Sequence, residues 1–213
     1  MRIEAPKIPE SLTERKLLKM IEEHENEAVY ISINEEDARD VIVERFVLSN
    51  ARVSRTTFTG AQMPRADFTD VQFINCDFSN VDFSESIFHR VEFIDCKLIG
   101  SHFSNAHLAQ TTFSNSMLNL SNFIDVRIKQ VQFTKSSMKQ MNVANGKIKG
   151  LYLNECDIDD ISFFETPLMG VDISTCTYNR IEASQQVIAG LIVSRDQAVG
   201  FARLLGLRIK EEM

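Results

Sequence analysis

Residues 66–105 read ADFTD VQFIN CDFSN VDFSE SIFHR VEFID CKLIG SHFSN, with Phe or Leu in the third place of every group of five. The same spacing runs from Leu48 to Tyr178, and all 27 positions reached in steps of five are apolar. These positions hold 12 of the 15 Phe residues of the chain. A period of five fits neither an α-helical turn nor the two-residue repeat of a strand. An internal repeat therefore decides the fold, ahead of any local helix or strand preference.

A second set of positions lies two residues before each large residue, from Phe46 to Cys176. In this set, 23 of the 27 residues are Ala, Gly, Ser, Thr, Cys or Val. The segment 46–180 contains 26 charged residues, and none of them falls in either set. We therefore predict that each pentapeptide forms one side of a coil, with the small and the large residue inside and the other three in water.

Four such sides make a square coil of 20 residues. Successive coils would stack at the inter-strand spacing of ~4.8 Å, with backbone groups pairing between coils as in other solenoids. Residues 41–180 would then form seven coils, a rod on the order of 30 Å long at that spacing. Residues 20 apart become stacked neighbours, so Phe73, Phe93 and Phe113 are expected in one inward column.

The strings ADFTD, CDFSN, VDFSE, VEFID and CKLIG resemble the A(D/N)Lxx pattern of pentapeptide-repeat proteins. This resemblance implies an all-β solenoid, specifically a right-handed quadrilateral β-helix. We predict three regions: an N-terminal cap of one helix and one strand in 1–40, the β-helix in 41–193, and a C-terminal helix and strand in 194–213. The unbroken period from 48 to 178 predicts that no loop projects from the coil.

The N-terminal region carries 6 basic and 11 acidic residues in 1–40, so it holds most of the negative excess. Ser11 and Glu14 form a capping-box pattern before an apolar run, which predicts a short amphipathic helix. The sequence AVYISI in 28–33 predicts a strand. This region would cap the open end of the solenoid, where unpaired edges invite aggregation. A partner-binding arm is the alternative.

The C-terminal region changes period again. Ser194 and Gln197 form a second capping box, Gly206 is placed to end the helix, and residues 207–210 predict a strand. This region resembles the C-terminal segment of the Qnr and MfpA group of pentapeptide-repeat proteins. The residues that carry this resemblance are Gln197, Ala198, Leu204, Leu205, Gly206, Leu207 and Ile209. The expected absence of a projecting loop differs from several members of the Qnr group.

The Qnr and MfpA resemblance implies two properties. The C-terminal helices would form a two-fold homodimer, for which Phe201, Leu204 and Leu205 are the candidate interface residues. The rod would mimic the shape and charge of duplex DNA toward a type II topoisomerase, either DNA gyrase or topoisomerase IV, and protect it from quinolones. A scaffold or adaptor with a different protein partner is the alternative function.

The charge of the chain bears on its partners. The net charge is −7, with 23 basic and 30 acidic residues, which argues against direct nucleic-acid binding by phosphate neutralisation. The sequence contains no apolar run long enough to span a membrane and no signal-peptide pattern. We therefore expect a cytoplasmic protein that does not bind a membrane.

Charged residues are banded along the repeat. Acidic residues dominate 66–95 and 155–172. In contrast, every charged residue in 127–149 is basic. Outward carboxylates could stand in for phosphates, or they could form ion pairs between stacked coils. Opposite-sign pairs 20 residues apart include Asp70/Arg90, Arg65/Glu85, Asp77/Lys97, Lys135/Glu155 and Lys139/Asp159. We take as candidate partner-binding residues four carboxylates that lie outside these named pairs: Asp67, Asp82, Asp157 and Asp160.

Residue types that often carry catalysis are explained by the repeat. All four cysteines fall in one small inward column, so we predict buried, reduced, structural thiols; they are Cys76, Cys96, Cys156 and Cys176. Three histidines, His89, His102 and His107, take outward positions on different sides. The sequence matches no nucleotide-binding, zinc or hydrolase motif. It therefore predicts neither an enzyme nor a metal or cofactor site.

Overall fold

The corners of the coil are set by the backbone. In the computed structural model, which describes residues 3–204 and 206–208, every fifth residue from Tyr30 to Gly170 has a positive φ. Fifteen of these 29 corner residues are Asn, Asp or Gly, which adopt the left-handed conformation at the least cost. The chain therefore turns once per pentapeptide, and no loop projects between residues 30 and 170 of the described chain.

Successive coils stack along the chain, and all strand pairings are parallel. From the second strand onward, each pairing joins residues 20 apart, as Phe73 with Phe93. The strands are β1 Thr13–Glu14, β2 Glu27–Val29, β3 Ile31–Asn34, β4 Val47–Ser54, β5 Asp67–Ile74, β6 Ile87–Ile94, β7 His107–Ser114, β8 Arg127–Thr134, β9 Lys147–Asn154, β10 Ile161–Ser162 and β11 Ile181–Glu182. The helices are α1 Leu17–Glu22 and α2 Arg195–Leu204.

Four sides surround the core. We name them from the coil that begins at residue 66: side A holds 66–70, side B 71–75, side C 76–80 and side D 81–85. Each side includes the residues that lie multiples of 20 away. Strands β4 to β9 bend at a corner and cover sides A and B, whereas sides C and D are joined by single bridges such as Asp77 with Lys97. The fold is the expected quadrilateral β-helix.

The interior is filled as the period predicts. All 27 small positions from 46 to 176 are buried, and so are 25 of the 27 large positions from 48 to 178. The ring of Phe93 stacks between Phe73 and Phe113, with centroid distances of 5.0 and 4.8 Å. These columns place the apolar burial along the whole axis of the rod, which is the main source of its stability.

Polar residues at small inward positions are hydrogen-bonded between coils. The Ser116 hydroxyl donates to the Phe93 carbonyl at 3.4 Å and accepts from the Cys96 amide at 3.1 Å. Ser136 and Thr166 make the same kind of contact with the preceding coil. The inward hydroxyls therefore satisfy backbone groups that would otherwise be buried without a partner.

The N-terminal region differs from the prediction in its helix start. Helix α1 begins at Leu17, and its N-cap residue, Lys16, makes no side-chain capping bond. The predicted capping box of Ser11 and Glu14 is wrong because Thr13–Glu14 pairs as a strand with β3. Strand pairing at the edge of the sheet takes the backbone groups that the helix would have used.

The coil itself begins upstream of residue 41. The series of large inward positions, spaced five residues apart, continues toward the N-terminus through four buried residues: Ala28, Ile33, Ala38 and Val43. Strands β2 and β3 are two sides of this first coil, with Tyr30 at their corner. The cap consists of β1 and of α1, which buries Leu17 and Met20 against the first coil.

Candidate partner-binding surfaces

The four candidate carboxylates do not form one site. Asp67 lies on side A, Asp82 on side D, and both Asp157 and Asp160 on side C. Each is partly exposed. The structure therefore distributes them over three sides and along several coils, so a partner that met all four would have to wrap around the rod.

Two of these carboxylates have basic partners that the sequence analysis missed. Asp157 accepts from the Lys139 ammonium at 2.8 Å, and Asp160 accepts from the Arg180 guanidinium at 2.5 Å. The expectation that Asp157 and Asp160 are unpaired is therefore wrong. The Asp160–Arg180 pair spans 20 residues and could have been found from the period. The Lys139 side chain instead bonds to Asp157, which lies two positions before the residue stacked on Lys139.

The other two carboxylates bond only to their own coil. Asp67 accepts from the Thr69 hydroxyl at 3.1 Å. Asp82 accepts from the Ser84 backbone amide at 2.8 Å and from the Ser84 hydroxyl at 2.5 Å. Neither forms an ion pair with any residue that the structure describes. A partner could therefore contact Asp67 and Asp82 without displacing an ion pair among the described residues.

Four of the five predicted ion pairs between coils are confirmed. Their shortest nitrogen-to-oxygen distances are 2.6 Å for Asp70/Arg90, 3.2 Å for Arg65/Glu85, 3.8 Å for Asp77/Lys97 and 3.9 Å for Lys135/Glu155. The fifth, Lys139/Asp159, is wrong because Lys139 bonds to Asp157. Hydrogen bonds from the backbone and side chain of Asn179 and from the Arg180 amide lower the pKa of Asp159.

The basic band of residues 127–149 divides into two groups in space. Lys135 and Lys139, on sides B and C, are neutralised by carboxylates. The remaining four all lie on side A, in strands β8 and β9: Arg127, Lys129, Lys147 and Lys149. They form no ion pair among the described residues. The order of residues along the chain does not show this division, because the division depends on which side of the coil each residue occupies.

A feature without a sequence signal is the path of the N-terminal segment. The Glu4 amide donates to the Gln110 side chain at 2.8 Å, and the Lys7 amide donates to the Asp70 carboxylate at 2.8 Å. The Lys7 carbonyl accepts from the Asn50 side chain at 2.7 Å. The segment therefore runs along the corner between sides A and B, antiparallel to the growth of the coil.

The histidines of the repeat lie on the outer surface of the described coils. Burial, together with the adjacent Arg90 charge, lowers the pKa of His89. His89 and His107 both lie on side A and His102 lies on side D, so the prediction that the three occupy different sides is wrong. Among the described residues, no group of three or more His, Cys, Asp or Glu could hold a metal ion.

All four cysteines are buried and free, which confirms their inward placement. The thiol of Cys96 donates to the carbonyls of Phe73 and Ile94 at 3.5 and 3.3 Å. Hydrogen bonding with the Cys76 thiol, followed by burial, raises the pKa of Cys96. The Cys96 thiol therefore stays protonated and performs the same structural role as the Ser116 hydroxyl in the next coil.

The C-terminal helix is fixed to the last coil. The predicted capping box is confirmed, since Gln197 accepts from the Ser194 amide at 2.9 Å and Ser194 accepts from the Gln197 amide at 3.3 Å. The Gln197 side chain also donates to the carbonyls of Ile173 and Cys176 at 3.0 and 2.9 Å. One glutamine thus caps the helix and closes the end of the coil.

The candidate dimer residues are placed as follows. Phe201 is half-buried and packs edge-on against Tyr178 at 6.4 Å between ring centroids. The helix ends at Leu204, and Gly206 takes a positive φ of 82° after it, as predicted. The Leu204 side chain and Leu205 lie outside the described residues, as do Ile209 and Lys210 of the predicted C-terminal strand. Leu207 is exposed.

Comparisons with known proteins agree with this architecture. Residues 86–163 match the family described as "Pentapeptide repeat region", and residues 47–85 and 66–105 match "Pentapeptide repeats (8 copies)". Together these matches span 47–163, more than half of the chain. The chain therefore belongs to the pentapeptide-repeat family. No curated protein matches it.

Several solved structures are similar to this chain. HetL, a pentapeptide-repeat protein involved in heterocyst differentiation regulation from the cyanobacterium Nostoc, is 12% identical with a TM-score of 0.48, covering 84% of this chain and 89% of its own. Full-length QnrB1, a plasmid-mediated fluoroquinolone resistance protein, is 14% identical with a TM-score of 0.46, covering 83% and 100%. Rfr23 from the cyanobacterium Cyanothece is 13% identical with a TM-score of 0.46, covering 56% and 95%. None of these similarities assigns a partner.

No helix in the described part of the chain is both long enough and apolar enough to cross a bilayer.

Proposed function

We propose that this protein binds a type II topoisomerase, DNA gyrase or topoisomerase IV, in place of DNA, and that it protects the enzyme from quinolones by binding rather than by catalysis. The observation that carries the proposal is a rod whose outward carboxylates at Asp67 and Asp82 have no basic partner among the described residues. The C-terminal resemblance to the Qnr and MfpA group supports the choice of partner.

The physical basis is electrostatic substitution. A surface that holds DNA presents basic groups to phosphates, and a fixed carboxylate can occupy the same place. Carboxylates already bonded to Lys or Arg offer less, because a partner would first have to displace that ion pair. We therefore assign the larger contribution to Asp67 and Asp82, and a smaller one to Asp157 and Asp160.

A gyrase supercoiling assay, with and without a quinolone, tests this proposal. Asp67→Asn with Asp82→Asn should relieve inhibition and drug protection. The matched control, Asp157→Asn with Asp160→Asn, removes the same charge from paired positions and should retain most of both effects. Binding should weaken with added salt, because the contacts are electrostatic and face solvent. If the unchanged, correctly folded protein neither inhibits nor protects at any concentration, the proposal is wrong.

A scaffold or adaptor role is the second candidate. The observation that favours it is the unpaired basic group on side A, which a DNA mimic does not require. This alternative predicts no effect on supercoiling and a different protein partner.

We also propose that the protein is a homodimer joined through the segment 195–209. Val199 and Leu207, at 41% and 60% exposure, leave apolar surface on the outer face of the C-terminal segment. A two-fold contact is the commonest way to cover such a surface. Leu204 and Leu205 remain candidate interface residues, whereas the described contacts of Phe201 point toward its own coil.

A further inference from the structure

Four basic side chains form a compact grid on side A. Arg127 lies opposite Lys147, and Lys129 lies opposite Lys149, in the parallel pairing of β8 with β9. All four side chains are exposed. Within the described residues, none of the four forms an ion pair or a side-chain hydrogen bond. We call these residues the side A cluster.

The stacked pairs of the side A cluster differ in charge from the stacked pairs elsewhere on the rod. Stacked residues 20 apart are oppositely charged in several places, as in Asp70 with Arg90 and Arg180 with Asp160. In the cluster, both stacked pairs carry like charges, which is destabilising for residues directly opposite in a sheet. Folding therefore gains nothing from these four charges, and an anionic partner would remove the repulsion.

The dimensions of the cluster suit a small anionic segment. Its two rows are separated by the inter-strand spacing of ~4.8 Å, and the two residues of each row by ~6.6–6.8 Å, the distance between alternate residues of a strand. An extended polypeptide with carboxylates at alternate positions has the same spacing. It could therefore lie along β8 and β9 with one carboxylate near each cation of a row.

The surroundings of the cluster limit what can bind there. On side A the preceding coil presents His107 and Ala109 beside β8. The following coil presents Met169, which is 74% exposed. Asp67 lies further along the same side, and the whole chain carries a net charge of −7. A long polyanion such as duplex DNA would extend beyond the cluster onto repulsive surface.

We propose that the side A cluster binds an acidic segment of a partner protein, extended along β8 and β9 with carboxylates at alternate positions, one near the stacked pair Arg127/Lys147 and the next near the stacked pair Lys129/Lys149. This interaction surface is separate from the topoisomerase proposal, which uses carboxylates on this rod rather than cations. The two can therefore fail or hold independently.

Fluorescence anisotropy with a defined probe tests the assignment. The probe is a labelled peptide in which Glu alternates with Ser, and a second peptide carries Gln in place of each Glu. The full-length protein should bind the Glu peptide, with affinity that falls as NaCl is added. The Gln peptide should bind at least about tenfold more weakly, because it offers no charge to the cluster.

A pair of matched variants locates the site. Lys129→Gln with Lys149→Gln should reduce affinity for the Glu peptide about tenfold, because it removes one stacked half of the cluster. Lys135→Gln with Lys139→Gln removes the same charge from paired lysines on sides B and C and should leave affinity within about twofold. Circular dichroism and the melting temperature should be used to check that both variants fold. If the Lys129→Gln, Lys149→Gln variant does not fold, the single variant Lys149→Gln replaces it.

Three results would overturn the proposal. The first is no binding of the Glu peptide at millimolar concentration. The second is an equal loss of affinity in both double variants, which would indicate non-specific attraction. The third is preferential binding of a 20-base-pair DNA duplex or of phosphatidylserine vesicles over the Glu peptide, with the same dependence on Lys129 and Lys149, which would replace the acidic segment with another anionic partner.

Discussion

The Asp70 carboxylate accepts two hydrogen bonds from the Arg90 guanidinium of the next coil, at 2.6 and 2.7 Å. This pair is largely shielded from water, with side-chain exposures of 7% and 16%. The same carboxylate accepts the Lys7 amide at 2.8 Å. One ion pair therefore links two coils and also fixes the N-terminal segment to the rod.

This linkage predicts that acid releases the N-terminal segment. Burial raises the pKa of Asp70, but hydrogen bonds from Arg90 and the Lys7 amide outweigh it and leave the pKa lowered. A lowered pKa in the folded state stabilises the contact above the ordinary Asp value of about 3.9, and this stabilisation is lost as pH falls through the folded value. The hydrogen-exchange protection of the Lys7 amide should therefore be constant at neutral pH and decrease below about pH 4.

The control for acid release is Asp70→Asn. It keeps the shape of the side chain but removes the titrating group, so the Lys7 amide should be less protected at neutral pH and show little change with pH. Protection in the variant that still falls below pH 4 would assign the effect to another carboxylate, and the account of Asp70 would be wrong.

The second prediction concerns the aromatic column. Phe93 is fully buried between two stacked rings, so Phe93→Ala should lower the free energy of unfolding by ~3–5 kcal/mol. Ile87, on the same strand, is 44% exposed, and Ile87→Ala should cost less than about 1 kcal/mol. Urea unfolding of both variants measures the difference, and similar losses would contradict the observed register.

The inward half of the fold could be predicted from sequence because it is governed by exclusion. A charged residue cannot enter a column of stacked rings without a large desolvation cost, so the period of five appears directly in the letters. The sequence did not predict the first coil because two of its large inward positions hold alanines, Ala28 and Ala38, which are too small to indicate the repeat. Burial of both residues shows that the geometry continues there.

The third prediction tests the role of the inward thiols. Cys96 donates to two backbone carbonyls in the way that Ser116 does one coil later. Cys96→Ser should therefore change the free energy of unfolding by no more than about 1 kcal/mol, since a hydroxyl can make the same bonds. Cys96→Leu should cost ~1–3 kcal/mol or more by overpacking. Thermal unfolding distinguishes the two, and a severe loss with Ser would indicate a requirement for sulfur.

The outward half of the fold is less predictable because long side chains choose among several neighbours. Lys139 illustrates this: the 20-residue rule assigns it to Asp159, but it reaches Asp157 instead. Nor does a local pattern place Lys7 beside Asp70, since 63 residues separate them. Candidate partner-binding residues are the hardest to predict from sequence, because their selection depends on which charges remain unpaired in space.

The fourth prediction follows from the like charges of the side A cluster. Lys149→Glu would place a carboxylate opposite Lys129, replacing repulsion by attraction. The melting temperature should rise by about 1–3 °C, a small effect because the pair is exposed to solvent. Lys149→Gln should give a smaller rise. Lys135→Glu is the opposite control: it breaks a pair with Glu155 and should lower the melting temperature. A decrease with Lys149→Glu would show that the cluster is not repulsive.

The final prediction separates capping from dimer formation in the C-terminal helix. Phe201 packs on Tyr178 of its own coil, so Phe201→Asp should destabilise the end of the rod by burying a charge. If Leu204 belongs to the proposed dimer interface, Leu204→Asp should instead lower the mass measured by light scattering at micromolar concentration from two chains to one. Circular dichroism and the melting temperature of the coils should then be preserved. A monomeric mass for the unchanged protein would refute the dimer. Unfolding by Leu204→Asp as severe as that by Phe201→Asp would assign Leu204 to the cap.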